Sequence, residues 1–218
     1  MTRTITVKGI GKVSAKSDYV VLSMSLQAHH MHYEKTMDEA TEQFEQLKKS
    51  LVSVGFDEES IKTKSFDVRI DQKRVDDKNG NYKYVFNGYI VSHTLKVEFD
   101  FDSKMLSYAL NAVATCLANP QLTIAFTVKN ATAINEMMLR SATVNAKRKA
   151  EILCEASNVK MGQLLSIDYN WGELNIYSKT RYDMDEDCMP MVSMSKLIDI
   201  EPDDIDVSDT ATFVWEIH

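Results

Sequence analysis

Apolar and polar residues alternate from the beginning of the chain. Ile5, Val7, Gly9, Gly11 and Val13 fall on one face of an extended segment, and Val20, Leu22, Met24, Leu26 and Ala28 repeat the pattern beyond Ser17-Asp18. A period of two over this length predicts two half-buried strands. Their short connection predicts antiparallel pairing with each other, since parallel neighbours need a crossover. From Tyr33 the spacing changes to alternating fours and threes, through Met37, Ala40, Phe44, Leu47, Leu51 and Val54. That is a helix with a narrow apolar seam. It has too few heptads for a coiled coil and is expected to pack on a sheet. Gly55 stands where a left-handed C′ residue is wanted, with Phe56 placed to fold back on Leu51 in a Schellman closure.

Phe66, Val68 and Ile70 then alternate with Asp67, Arg69 and Asp71. The return strand runs from Tyr82 to Phe99, with Tyr89, Val91, His93, Leu95 and Val97 on one face. Asn79-Gly80 is the hairpin signal between them, and Asn87-Gly88 within the long strand predicts a bulge or bend. A shorter helix starts near Ser103, buries Leu106, Ala109, Leu110, Val113 and Leu117, and stops at Asn119-Pro120. Leu122, Ile124, Phe126 and Val128 form a strand. A second long helix spans Ala131 to Ala156, where Ala142, Ala146 and Ala150 make a ridge that permits close approach of another element. Leu165, Ile167 and Tyr169 form another strand, and Ala211, Phe213, Trp215 and Ile217 the last. Residues 172–196 read as a long aperiodic loop. This order predicts an α+β fold: a mixed, largely antiparallel sheet packed by two long helices and one shorter helix.

Composition narrows the function. A chain of 218 residues suits one large domain or two interleaved smaller ones sharing a core, and residues 1–218 are read as a single domain with the interleaved pair as its alternative. The hydrophobic share of 44% and charged share of 26% are those of a folded protein. A net charge of -7 repels phosphate backbones and anionic lipid, so no nucleic acid and no membrane is expected as partner. No apolar run approaches the ~20 residues of a membrane span. The alternating N-terminus shows no signal peptide, and a cytoplasmic location is expected. Cys116, Cys154 and Cys188, far apart, fit reduced thiols, the first two in the core.

The chemistry-bearing residues do not assemble into a site by motif, so the expected catalytic, cofactor-binding and metal sets are all empty. Gly9-Ile10-Gly11-Lys12 would need Gly at Thr6 and a hydroxyl at Val13 to be a phosphate loop, and Gly at Ser14 to be a dinucleotide fingerprint. Its glycines are read as flexing the strand. His29, His30 and His32 cluster at a strand end, but alternation sends the first two to opposite faces and no further ligand follows at metal spacing. His93, on an apolar face, reads as a hydrogen-bonded core histidine. No nucleophile-elbow motif is present, although a triad assembled from distant residues leaves no local signature. Asp183, Asp185 and Asp187 open like a calcium loop, yet Cys188 replaces its turn glycine and Met194 its terminal glutamate.

Val7-Lys8-Gly9-Ile10-Gly11-Lys12-Val13 followed by Asp18, Gly88-Tyr89 before a long strand, the alanine-rich helix through Lys149-Ala150 leading to Gly162–Ile167, and Ile200-Glu201-Pro202 ahead of Ile205-Asp206-Val207 occur in one order. In that order and spacing the chain resembles the SIMPL-domain family, which includes bacterial YggE-like members of unknown function. The likeness covers nearly the whole chain, with Ser17 where the family usually has Pro. It implies the family's α+β fold. It also implies links to oxidative-stress tolerance, oligomeric assembly and, in animals, association with a signalling kinase, with no shared catalytic residues.

The expected function is therefore a non-enzymatic assembly or protein-interaction module, a homo-oligomer or the partner of another protein. The alternative is a hydrolase or transferase with a site assembled from distant residues. Met184, Cys188, Met189, Met191 and Met194 crowd the acidic loop, and three readings stay open for them: a soft-donor Cu(I) site, an adaptable contact surface, or local packing.

Overall fold

The computed structural model describes residues 3–76, 81–170, 172, 174–184 and 200–218. Among these, the strands are β1 (Thr4–Ala15), β2 (Tyr19–His30), β3 (Lys62–Asp76), β4 (Tyr82–Asp100), β5 (Gln121–Thr127), β6 (Met161–Asp168), β7 (Tyr177–Met184) and β8 (Ile205–Ile217). The α-helices are α1 (Tyr33–Ser53), α2 (Ser103–Ala114) and α3 (Ala131–Ala156). The fold is α+β, with two antiparallel sheets of order β1-β8-β6 and β3-β4-β2-β5-β7. The chain divides into two compact units, one of Met1–Asp18, Phe126–Thr180 and Pro202–His218, the other of Tyr19–Ala125 and Arg181–Glu201. No helix among the described residues is long and apolar enough to cross a membrane.

In the first unit α3 lies on the three-stranded sheet. Its alanine ridge, Ala142, Ala146 and Ala150, is buried against Val7, Ala211, Phe213 and Trp215, as the small-residue spacing predicts. The expectation that Gly9 and Gly11 flex the strand is corrected: both sit directly under the α3 backbone, and neither has a positive φ. Their missing side chains admit the helix. α3 also covers the open edge of β1. Asn145 Oδ1 accepts from Ile10 N at 3.0 Å, Ser141 Oγ from Lys12 N at 3.2 Å, and Lys149 Nζ donates to Lys8 O at 3.0 Å. An edge strand's unpaired backbone groups are thereby satisfied.

The predicted pairing of β1 with β2 does not occur. β1 pairs with β8 along its whole length, Thr4 opposite Glu216 through Ala15 opposite Ile205, while β2 pairs with β4. The short connection between them is held instead by the end of β5 and the residues just beyond it: Asp18 N donates to Thr127 O at 3.1 Å, and Asp18 Oδ1 accepts from Lys129 N at 2.8 Å. A short link limits how far apart two strands lie but does not oblige them to share a ladder.

In the second unit Val20, Leu22, Met24, Leu26 and Ala28 are buried, as their alternation requires. α1 ends in the expected Schellman closure, Phe56 N bonding Leu51 O at 3.3 Å and Gly55 N bonding Val52 O at 3.1 Å. α2 is capped by Asp102, whose carboxylate accepts from Lys104 N and Met105 N at 2.8 Å each. It stops at Ala114, three residues short of the predicted stripe, and leaves Leu117 90% exposed.

The aperiodic reading of residues 172–196 is corrected where β7 lies within it. There the inward residue is a buried serine, Ser178, whose hydroxyl donates to Asp203 O at 2.7 Å. A polar residue facing in erases the hydrophobic alternation. The Asn79-Gly80 turn and Cys188, Met189, Met191 and Met194 lie outside the described residues.

Candidate interaction surface

β3 and β4 form a long antiparallel ribbon. Residues directly opposite in such a ladder share one face of the sheet. Phe66, Val68 and Ile70 of β3 stand opposite His93, Val91 and Tyr89, and beyond an irregularity Arg74 and Asp76 stand opposite Tyr84 and Tyr82. This is the face on which α1 packs, since Met37 and Ala40 meet Ala28 and Val91, and the Phe44 ring lies 5.3 Å from that of His93. The helix covers β2 and β4 but leaves the β3 strip bare. Phe66, Val68 and Ile70 are 48%, 37% and 58% exposed, and the outer ribbon adds Tyr82, Tyr84 and Phe86. Arg74 stacks over the Tyr82 ring at 4.3 Å, a cation–π contact on this face.

The ribbon bends where predicted. Asp71 pairs with Gly88 and Gln72 with Phe86, so Asn87 is the extra residue of a bulge. Gly88 has φ +121, and a Cβ there would come 2.7 Å from His30 O. Only glycine fits both conditions. The bulge is pinned from the sheet's other face. His29 Nε2 donates to Asn87 O at 3.0 Å, Asn87 Nδ2 donates to Asp71 Oδ2, and His29 Nε2 lies 3.4 Å from the same carboxylate. Because a carbonyl oxygen only accepts, the His29 proton resides on Nε2.

The histidine cluster is thus split among structural tasks. His30 Nδ1 accepts from His32 N at 3.1 Å in the turn into α1, and Thr36 Oγ1 donates to His32 O at 2.9 Å. Among the described residues no three His, Cys, Asp or Glu side chains converge to hold a metal. His93 is the core histidine its strand position implies: 8% exposed, flanked by Phe44 and Phe66, with Thr63 Oγ1 at 2.9 Å from its Nε2. Burial holds its imidazole below the ordinary value of 6.5. A recess of about 450 Å³ beside the paired ends of β1 and β8 is lined, among the described residues, by Lys12, Val13, Ser14, Asp206, Val207 and Ser208.

Two features escape sequence reasoning. The alternation of Phe66, Val68 and Ile70 marks a strand with one apolar face but not that the helix stops one strand short. The His29–Asn87–Asp71 pin joins residues from three strands; the Asn87-Gly88 pair was its one legible sign.

The family model described as SIMPL, a protein of unknown function (DUF541), matches residues 5–215. No curated protein is matched by the chain. The match spans nearly the whole fold, including the glycines that seat α3 and the Asp18 that ties the β1–β2 connection, and the chain belongs to the SIMPL family.

Proposed function

We propose that the chain acts as an assembly or protein-interaction module and not as an enzyme. The uncovered β3 strip carries this reading. Apolar side chains in a row on a sheet, left bare beside a helix that buries the neighbouring strands, cost solubility unless something covers them. The pinned bulge keeps the strip ordered, which suits a surface that docks as a preformed whole. Among the described residues the cysteines Cys116 and Cys154 are free and buried, which supports a reducing, cytoplasmic setting. A role in stress tolerance rests on the family resemblance alone.

Sedimentation velocity of the purified chain over a wide concentration range, beside affinity capture from its native host, tests the reading. Self-association or a stoichiometric partner is expected, and either should be weakened by Val68→Ser and Ile70→Ser together. A strict monomer that retains no partner, or turnover in a broad substrate screen abolished by one point mutation, would overturn it.

A further inference from the structure

The open edge of β3 has a symmetry that its sequence alone does not reveal. Its pairing with β4 is irregular between Thr63 and Ser65 and again between Asp71 and Gln72, so the regular stretch is Ser65–Asp71. Val68 is the midpoint of that stretch. An antiparallel pair of identical edge strands is related by a two-fold axis perpendicular to the sheet, which keeps like faces together. With Val68 on the axis, Phe66 of each copy faces Ile70 of the other, and Asp67 faces Arg69 twice. Shifting the axis to either adjacent residue sets Asp67 against Asp67 or Arg69 against Arg69. Only the centred register matches both the apolar and the charged positions while using the whole regular stretch.

The free condition of these groups agrees. Asp67 and Arg69 are exposed, and among the described residues neither has an ion-pair partner. The other sheet handles its edges differently: α3 side chains cap β1, and β6 shifts register twice between Met161 and Ser166, whereas the two shifts of β3 flank the regular stretch Ser65–Asp71. Capping and closely spaced bulges blunt an edge against pairing; a regular stretch that has no cap among the described residues invites it.

We propose that β3 pairs with β3 of a second copy of this chain, in antiparallel register about Val68, joining two five-stranded sheets into one. This rests on the assembly reading above and names its partner and contact. The bare strips of the two copies become neighbours, and Asp67 and Arg69 act as the register code.

The test is a charge-swap pair read by sedimentation velocity and native mass spectrometry on the full chain. Wild type is expected at twice the 24.8 kDa chain mass. Asp67→Arg and Arg69→Asp, each alone, place like charges opposite and should sediment as monomers with unchanged circular dichroism and melting. Mixed in equal amounts, the two single variants should form a one-to-one heterodimer, because every facing pair is then opposite in sign; the double variant should self-pair again. Single variants that assemble like wild type, or a mixture that stays monomeric, overturn the β3 contact while leaving assembly through another surface standing. A wild type that neither self-associates nor retains a partner overturns both.

Discussion

A Cβ placed on Gly9 would lie 2.1 Å from the carbonyl oxygen of Ala142, well inside van der Waals contact. The β1 glycines and the α3 alanines are therefore one device, each lacking bulk where the other approaches. Gly9→Ala should destabilise the fold by about 1–3 kcal/mol through displacement of α3, and Ala146→Leu by a similar amount. Ile10→Ala, at an outward position, should be nearly neutral. Thermal melting checks the contrast: a Gly9→Ala variant that melts with wild type would mean that α3 is not seated there.

Leu22 is fully buried on β2 while Ser23 faces the other side of the sheet. Leu22→Ala should cost about 2–5 kcal/mol, the usual range for a truncated core leucine, and Ser23→Ala little. Urea titration measures both.

Gly88→Ala meets both a φ of +121 and the His30 carbonyl. A loss of about 1–3 kcal/mol is expected, from backbone strain together with the close approach. Asn87→Ala, which removes the bond to Asp71 but leaves the bulge backbone intact, should cost less. Equal costs would show that the side-chain pin, and not the backbone, governs the bend.

His93 gives stability a pH dependence of known sign. Its folded-state pKa lies below the unfolded value near 6.5, so between the two the unfolded chain binds the extra proton. Its contribution is complete above about pH 6.5 and is lost as the pH falls through the folded pKa. His93→Gln, able to keep a hydrogen bond to Thr63, should flatten that part of the stability profile. An unchanged slope in denaturant titrations at successive pH values would assign it to other groups.

Periodicity determined most of the strands and helices and, at β2 and α3, which face turns inward; it missed β7 and overran α2. Strand alternation at Val20 to Ala28 and the alanine spacing of α3 are local consequences of backbone geometry, and burial follows them closely. Helix-end chemistry at Gly55-Phe56 and the Asn87-Gly88 bulge were legible for the same reason, since each depends on residues adjacent in sequence. Partner choice was not. That β1 pairs with β8, nearly two hundred residues away, depends on long-range burial of Val7, Phe213 and Trp215 under α3, a competition that no local window contains. The glycines of β1 are explained only by the α3 backbone at Ala142 that lies over Gly9. The β3 alternation marks an apolar face, and only the placement of α1 over β2 and β4 leaves that face exposed. Sequence sets which face of an element is apolar; only the tertiary arrangement decides what covers it, because coverage is set by the reach of neighbouring elements and not by the strand itself.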